Sequence, residues 1–308
     1  MKTPLFLFTA ALVLSAPLAL QARIERVVEK TFAVPAGGLL KVETQGGNIA
    51  VQTSNEPAVT VIAKQRFKAN SEAEADELAE RLELRIEQAG SGVLAQAKYE
   101  RPKWGSLPVQ VDFVVTVPTR YNVDLRTSGG NVSVGDLEGA ATVRTSGGDV
   151  TLARIAQDVD ARTSGGNIVL TEGRGTVTLN TSGGDIRVDR AVGVTELDTS
   201  GGNIHVKSVE NTLHADTSGG DVTATIAGPL KGDCSLSTSG GQVRATVART
   251  AAFQLDASTS GGGVSADGLT ITIEKGNVGK DRLTGKVNGG GPLLKLRSSG
   301  GNIAVGVR

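Results

Sequence analysis

Residues 127–152 read "TSGGNVSVGDLEGAATVRTSGGDVTL" and contain one phrase, Thr-Ser-Gly-Gly-[Asn/Asp]-Val, twice at a separation of 18 residues. Six copies begin at this same spacing, at Thr127, Thr145, Thr163, Thr181, Thr199 and Thr217. Further copies begin at Thr238, Thr259, Ser298 ("SSGGNIAV") and Thr44 ("TQGGNIAV"), with a degenerate copy, "NGGG", at residues 288–291. A fixed interval over six copies indicates that each unit is one turn of a repeating structure.

Apolar and polar residues alternate on both sides of each glycine pair, which is typical of half-buried β-strands. Before one pair, Val123 and Leu125 alternate with Asp124 and Arg126. After each pair the alternation resumes one residue out of phase. In an unbroken strand such a slip would turn the apolar side chains to solvent. We therefore predict that each unit consists of a strand, a corner at the glycine pair, a short strand and a loop.

The glycines themselves require an explanation, because glycine weakens the interior of a strand. Glycine adopts a positive φ without the steric cost that a Cβ brings, and such a φ suits a corner or a bulge. We therefore expect a positive φ at Gly165, at Gly166 or at both.

Two architectures can use these units: a meander with hairpins at the glycine pairs, or a solenoid in which each unit is one coil. Identical corners in strict register favour stacking. The predicted fold is all-β, a single-chain parallel β-solenoid (β-helix) with coils of about 18 residues and a strand spacing of about 4.8 Å. The threonines of the six regular copies should form one internal column. A second internal column should contain Val132, Val150, Ile168, Ile186, Ile204 and Val222.

The residue after each glycine pair supports stacking. In the six regular units Asn and Asp alternate, as Asn131, Asp149, Asn167, Asp185, Asn203 and Asp221. Stacked aspartates would repel one another, whereas an interleaved asparagine can donate an amide hydrogen bond to each neighbour. We therefore expect side-chain amide bonds along this column.

The chain divides into three parts. Residues 1–22 have a basic Lys2, a short apolar run and small residues near Ala22, which predicts a cleaved secretory signal peptide. The mature protein is then not membrane-spanning and is periplasmic or at the cell surface. Residues 23–117 lack the repeat and predict an α+β capping section with a short helix capped by Ser71. Residues 118–308 form the solenoid, and Cys234, the single cysteine, falls at an inward position.

The last unit ends at Arg308, so the pattern predicts a terminal coil with a free edge, which invites strand addition. Two arrangements can protect such an edge. The long segment at residues 267–291 can fold back over it, which is the arrangement we expect. Alternatively, a second copy of the protein or an envelope partner docks there, giving self-association through the C-terminal edge.

The repeat, the strand-rich section before it and the ending "GKVNGGGPLLKLRSSGGNIAVGVR" resemble the putative adhesin family of secreted bacterial β-repeat domains, which is related to auto-transporter adhesin head domains. The resemblance covers residues 24 to 308. It implies a surface or periplasmic binding role and transfers no catalytic residues.

Composition and motifs exclude several function classes. The 32 basic residues balance 32 acidic ones, which gives no long-range attraction to nucleic acid. No nucleophile elbow or other catalytic motif occurs, and neither a cofactor nor a metal site is predicted. The two histidines, His205 and His214, lie at outward positions without ligand spacing. The phrase also lacks the third glycine of calcium-binding nonapeptide repeats.

The outward positions before the corners contain Arg126, Arg144 and Arg162, followed by Asn180, Asp198 and Asp216. Cross-strand charge pairing on a solvated face explains such a ladder. The arginine run is also the candidate binding surface, because guanidinium groups bind acidic glycans and lipid headgroups.

The sequence is therefore compatible with two functions. The first is a non-enzymatic secreted scaffold, adhesin-like, that presents a regular polar surface to an envelope component, a polymer or a protein partner. The second is a polysaccharide-active β-helix enzyme with a site in the irregular loops after Ala224. The absence of a carboxylate cluster, a histidine pair or an aromatic groove in the sequence favours the first.

Overall fold

The computed structural model describes residues 23–100, 107–273 and 279–308; the predicted signal peptide lies outside these residues. Over these ranges the chain forms two long, mostly parallel β-sheets and one short helix, which confirms the predicted parallel solenoid. In the part of the chain so described, no helix is long and apolar enough to cross a membrane.

The N-terminal elements precede the regular repeat. They are β1 (Arg23–Ala33), β2 (Leu39–Thr44), β3 (Ile49–Ser54), β4 (Ala58–Lys68), α1 (Glu72–Glu80), β5 (Leu82–Ala89), β6 (Gly92–Tyr99) and β7 (Val109–Pro118). Helix α1 begins as predicted, because the Ser71 hydroxyl accepts the backbone N–H of Glu74 at 3.2 Å.

The repeat elements follow in pairs, one strand before and one after each corner. They are β8 (Asn122–Thr127), β9 (Val132–Val134), β10 (Ala141–Arg144), β11 (Val150–Ile155), β12 (Val159–Arg162), β13 (Ile168–Gly173), β14 (Val177–Thr181), β15 (Ile186–Ala191), β16 (Thr195–Thr199), β17 (Ile204–Val209), β18 (Leu213–Thr217), β19 (Val222–Ile226), β20 (Cys234–Thr238) and β21 (Val243–Val247). The C-terminal strands are β22 (Phe253–Thr259), β23 (Val264–Ala266), β24 (Ile271–Thr272), β25 (Arg282–Val287), β26 (Leu293–Ser298) and β27 (Ile303–Val307).

Strands after the corners form sheet A and strands before the corners form sheet B. In the described residues sheet A has the order β1-β4-β7-β3-β9-β11-β13-β15-β17-β19-β21-β27-β23, and sheet B has the order β24-β25-β22-β26-β20-β18-β16-β14-β12-β10-β8-β2-β6-β5. Neighbouring repeat strands are parallel and in register at the repeat interval, so that Val150 lies opposite both Val132 and Ile168. The two predicted internal columns are confirmed, because all their members are buried between the sheets.

The corners do not use the predicted backbone conformation. Among the described glycines a positive φ occurs at Gly37, Gly90, Gly268, Gly289 and Gly290, and neither Gly165 nor Gly166 is among them. The prediction of a left-handed corner is therefore wrong. The degenerate copy "NGGG" is different in kind, since Asn288, Gly289 and Gly290 all have positive φ in the turn that joins β25 to β26.

Close stacking of the coils explains the second glycine of each pair. A Cβ on Gly166 would lie 2.0 Å from the carbonyl oxygen of Gly148, the equivalent residue one coil earlier. A Cβ on Gly165 would lie 3.7 Å from its nearest neighbour, the carbonyl oxygen of Gly147, which is ordinary van der Waals contact. The second glycine is therefore required because the coils stack, whereas the first has room for a side chain in the coils up to Gly201.

The threonine of each phrase joins neighbouring coils through buried hydrogen bonds. The Thr163 hydroxyl donates to the carbonyl oxygen of Gly148 at 2.9 Å and accepts the backbone N–H of Gly166 at 3.3 Å. Equivalent donor bonds recur at Thr127, Thr145, Thr181, Thr199, Thr217, Thr238, Thr259 and Ser298. The hydroxyl thus satisfies two backbone groups that the corner leaves outside the strand ladders.

The Asn and Asp column forms a different ladder from the one predicted. Each side-chain oxygen accepts the backbone N–H of the equivalent residue one coil later. Asn131 accepts from Asp149 at 2.9 Å, Asp149 accepts from Asn167 at 2.7 Å, and Asn167 accepts from Asp185 at 2.8 Å. A side-chain amide bond of the expected kind occurs in the described column at Asn203, which donates to Asp185 at 3.2 Å. Carboxylate and amide oxygens can both accept a hydrogen bond, so either Asp or Asn supplies the acceptor that each coil needs.

The order of coils at the C-terminal end differs from the order in the sequence. Strand β26 lies between β20 and β22, and β27 lies between β21 and β23. The predicted free edge at the last unit is therefore wrong, because the last unit is an internal coil. Strands β24 and β25, which belong to the segment at residues 267–291, do cover the sheet B end, but they cap β22 and not the last unit.

The N-terminal end has the same exchange of order. Strands β2 and β3, which carry the early "TQGGNIAV" copy, lie between the first regular coil and the later strands β6 and β7. Antiparallel strands β1 and β4 then extend sheet A, and β5 extends sheet B. Both "GGNIAV" units are thus internal to the stack of coils, and sheet A ends at β1 on the N-terminal side.

Candidate functional site

The outer face of sheet B brings the predicted arginines together. Strands β8, β10 and β12 pair in parallel, so Arg126, Arg144 and Arg162 occupy one outward column at neighbouring positions. The column spacing is that of the strands, about 4.8 Å. We call the residues at this position in successive strands the arginine column, and it continues on both sides of these three residues.

Aspartates of the neighbouring outward column hold each guanidinium. Arg126 makes a two-point contact with Asp124, with Nε to Oδ1 at 3.0 Å and Nη2 to Oδ2 at 3.1 Å. Asp160 accepts from Arg144 Nη2 at 2.7 Å and from Arg162 Nε at 3.0 Å. Two aspartates thus position three arginines, which leaves one net positive charge, and the hydrogen bonds that Arg126 donates to Asp124 raise the pKa of Arg126.

A groove of about 440 Å³ lies at the N-terminal end of this face. Its basic lining comprises Lys98, Arg126 and Arg144, and the outward serines Ser128 and Ser146 of the corners add hydroxyl groups. The groove therefore offers positive charge and hydrogen-bond donors together, the combination that binds carboxylate, sulfate or phosphate groups.

Glu43 supplies a carboxylate to the lining of the groove. It accepts from Gln96 Nε2 at 2.7 Å and forms an ion pair with Lys41 at 3.0 Å. The hydrogen bond from Lys41 is the largest of the causes that lower the pKa of Glu43. This carboxyl group is therefore ionised at neutral pH, in the opposite state from that of a general acid.

The arginine column becomes acidic in its middle. Asp198 and Asp216 follow Asn180 at the same outward position, and Glu196 lies in the next column. Burial raises the pKa of Asp198, and the charges of Asp216 and Glu196 raise it further. Ser237 donates a hydrogen bond to Asp216. Over the described ranges, none of these three carboxylates has a lysine or arginine in ion-pair contact.

The histidines lie on different sheets, His205 in β17 and His214 in β18. The His214 Nδ1 is 2.8 Å from the Ser235 hydroxyl oxygen. Within residues 23–100, 107–273 and 279–308, no three His, Cys, Asp or Glu side chains are grouped to hold a metal ion.

Two carboxylates beyond Ala224, those of Asp233 and Asp256, have structural contacts. Asp233 accepts the backbone N–H of Leu293 at 2.8 Å, which fixes the start of the inserted strand β26. Asp256 forms an ion pair with Arg297 of the same inserted unit. Cys234 is buried as predicted, and burial raises the pKa of its thiol, which disfavours the reactive thiolate.

The sequence alone could not place the whole groove. Lys98 belongs to β6, outside the regular repeat, and no periodic signal aligns it with the arginines. Ser128 and Ser146 could have been found, because the serine of each phrase follows an inward threonine and must point outward.

Residues 38–306 match the family described as Toastrack DUF4097. The chain belongs to this family. The predicted resemblance is thereby confirmed, and the Toastrack repeat accounts for almost the whole of the solenoid. A search of curated proteins finds no match.

Several solved structures resemble the Toastrack chain. A putative adhesin from Parabacteroides distasonis ATCC 8503 is 13% identical, with a TM-score of 0.49, over 91% of this chain and 97% of its own. A putative adhesin from Bacteroides fragilis NCTC 9343 is 13% identical, with a TM-score of 0.42 and the same coverage. A putative lipid binding protein from Parabacteroides distasonis ATCC 8503 is also 13% identical, with a TM-score of 0.43, over 91% of this chain and 96% of its own.

Proposed function

We propose that this Toastrack protein is a non-enzymatic, adhesin-like binding protein of the cell envelope or cell surface, and that it binds an anionic polysaccharide through the basic groove on sheet B. The observation that carries the proposal is the groove itself, where Lys98 and two stacked arginines line one concave surface. The sequence prediction of an export signal is consistent with a polymer outside the cytoplasm.

The stacking of the arginines suits a polymer. Guanidinium groups repeat along the rod at the strand spacing of about 4.8 Å, so successive anionic groups of one chain can contact successive coils. The aspartates fix the position of each guanidinium, and Arg144 leaves Nε and Nη1 without a partner in the ion pairs described above. A bound carboxylate or sulfate would take these donors.

The residues of the groove favour binding over the enzymatic alternative. Hydrolysis of a polysaccharide needs a proton donor together with a second carboxylate that acts as base or nucleophile. The groove lining contains one carboxylate, Glu43, which Lys41 and Gln96 hold ionised, and no histidine. The arrangement therefore supports binding without turnover.

The test uses residues 23–308 and three immobilised polymers: polygalacturonate, dextran sulfate and neutral dextran. We expect the wild type to bind both anionic polymers and not the neutral one. Substituting Arg126→Ala with Arg144→Ala should weaken binding at least about tenfold, because charge-assisted hydrogen bonds are lost. Moderate salt should weaken wild-type binding, since the groove is solvent-exposed.

The matched control carries Arg187→Ala and Arg244→Ala, two exposed arginines on the outer face of sheet A. It removes the same charge from the other side of the rod. Equal loss of binding in the two double variants, or no binding to either anionic polymer, would overturn the proposal.

A further inference from the structure

The charges of the arginine column are complementary to those of the same column in reverse order. From β2 to β26 its residues are Glu43, Arg126, Arg144, Arg162, Asn180, Asp198, Asp216, Ser237 and Arg297. Asn180 is the middle residue. Counting outward from it, Arg162 and Asp198 are equivalent, Arg144 and Asp216 are equivalent, and Glu43 and Arg297 are equivalent at the two ends.

We propose that a second copy of this chain docks on the outer face of sheet B, antiparallel to the first, with a two-fold axis at Asn180. An isologous interface requires one surface that complements itself under such a rotation. The axis lies along the strand direction, so it reverses the order of the coils and sets the arginine column against itself. Arg162 of one copy then faces Asp198 of the other, and Arg144 faces Asp216.

A second copy would balance the positive and negative groups that lie apart on one chain. Arg144, Arg162 and Asp160 form an ion-paired group with one net positive charge. Glu196, Asp198 and Asp216 form a group of three carboxylates without a basic contact in the described structure. The rotation places each group against the other twice, and opposite charges brought together in this way both steer and orient association.

The neighbouring column contributes less. The same rotation sets Asp160 opposite Glu196 and Lys41 opposite Lys295, like charges in both contacts. Asp160, however, already accepts from Arg144 and Arg162 at 2.7 and 3.0 Å, and Lys41 is paired with Glu43 at 3.0 Å, so both charges are compensated within their own chain. The arginine column therefore determines how the two copies align along the rod.

The alternative two-fold axis, parallel to the rod, would keep the coils in the same order. Over the arginine column, such an axis would set Arg162 against Arg162 and Asp198 against Asp198. Between this column and its neighbour, it would set Arg126 against Asp124 and Arg162 against Asp160, pairs that each chain already makes within itself, and Asp198 against Glu196. The antiparallel arrangement instead gives new contacts of opposite charge at both Arg162 and Asp198.

The face has the size of a specific interface. Nine strands, from β2 to β26, span about 40 Å at the strand spacing, and with four to six residues each they are on average about 17 Å long. The resulting area of about 650 Å² per copy lies within the range of specific interfaces. Because the basic groove opens on this face, a second copy and an anionic polymer should compete for it.

Charge-reversal variants of residues 23–308 test the proposal. The dimer Kd is measured by sedimentation velocity over a dilution series at low salt, and the wild type should be a dimer. Arg162→Glu and Asp198→Lys should each raise the dimer Kd at least about tenfold, because each creates two like-charge contacts across the axis. Arg244→Glu, on the outer face of sheet A, is the control and should remain dimeric.

Mixing the two variants distinguishes the antiparallel dimer from every other explanation. In an equimolar mixture Glu at position 162 meets Lys at position 198, while the native Arg162 and Asp198 meet at the other contact. A heterodimer with near-wild-type Kd should form from two proteins that are separately monomeric. Circular dichroism should show all variants folded. A monomeric wild type, dimeric single variants or a mixture that stays monomeric would each overturn the proposal.

Discussion

Gly166 lies so close to the coil before it that a methyl group on its α-carbon would be 2.0 Å from the carbonyl oxygen of Gly148. That oxygen belongs to the backbone and also accepts the Thr163 hydroxyl, so it cannot move freely. We expect Gly166→Ala to lower the free energy of unfolding by more than about 3 kcal/mol, since coils must separate to admit it.

Gly165→Ala is the matched control, because its methyl group would make only van der Waals contact. Its effect should stay within about 1 kcal/mol. Urea denaturation followed by circular dichroism measures both variants. If the two substitutions cost the same, close stacking is not the reason for the second glycine.

Thr163→Val tests the buried hydroxyl at the corner. Valine keeps the shape of threonine but leaves the carbonyl oxygen of Gly148 and the N–H of Gly166 without this partner. We expect a loss of about 1–3 kcal/mol in the free energy of unfolding, the cost of unsatisfied buried polar groups. Ser164→Ala, at the exposed neighbouring position, should change the urea midpoint little. A neutral Thr163→Val variant would contradict the role assigned to the hydroxyl.

Asn167 lies between Asp149 and Asp185 in the Asn and Asp column. Two substitutions distinguish its role as a hydrogen-bond acceptor from its role as an uncharged residue between two carboxylates. Asn167→Asp keeps the acceptor for the backbone N–H of Asp185 but stacks three carboxylates at about 4.8 Å. Its destabilisation should decrease as salt is added. Asn167→Ala removes the acceptor, so its loss of about 0.5–1.5 kcal/mol should not depend on salt. The same salt response in both variants would show that charge is not the reason for the alternation.

The ion pair between Asp136 and Arg154 predicts a pH effect. The hydrogen bond from Arg154 is the first cause that lowers the pKa of Asp136. A carboxyl group with a lowered pKa in the folded state stabilises the fold above its unfolded pKa of about 3.9, and that contribution is lost as pH falls through the lower, folded pKa. Arg154→Gln should raise the Asp136 pKa in an NMR titration; Arg187→Gln is the control and should leave it unchanged. An unshifted Asp136 in Arg154→Gln would contradict this assignment.

Periodicity made the body of the rod predictable. The repeat interval fixes which residues of neighbouring coils meet, so Val150 had to lie beside Val132 and Ile168 once the coils were parallel. The same interval placed Arg126, Arg144 and Arg162 in one column. The corner conformation was not predictable in this way, because a change of phase says that the chain bends but not which φ it uses. The distance between coils, a property of the stack, is what selects glycine at position 166.

Spatial order at the two ends was beyond the reach of the pattern. The phrase allows any unit to stack on any other, so nothing local places the "GGNIAV" unit of Asn302 before or after the coil that contains Thr259. Long-range contacts decide it, such as the ion pair of Arg297 with Asp256 and the bond from Leu293 to Asp233. Lys98 joined the candidate groove for the same reason, since β6 pairs with β2 from a distant part of the chain.

Cysteine cross-linking tests the inserted order of the last unit. Ser237 and Arg297 are partners on adjacent parallel strands, whereas Ser237 and Ser258 are separated by the intervening strand β26. Adjacent strands place α-carbons about 4.8 Å apart and alternate strands about twice that, while a disulfide needs less than about 7 Å.

In a Cys234→Ala background, the pair Ser237→Cys with Arg297→Cys should therefore form a disulfide under mild oxidation, and the pair Ser237→Cys with Ser258→Cys should not. Mass spectrometry of tryptic peptides identifies each cross-link. If the last unit lay at the end of the rod instead, the coil of Ser258 would stack directly on that of Ser237 and the second pair would cross-link. Cross-linking of that pair alone would therefore reverse the assigned order.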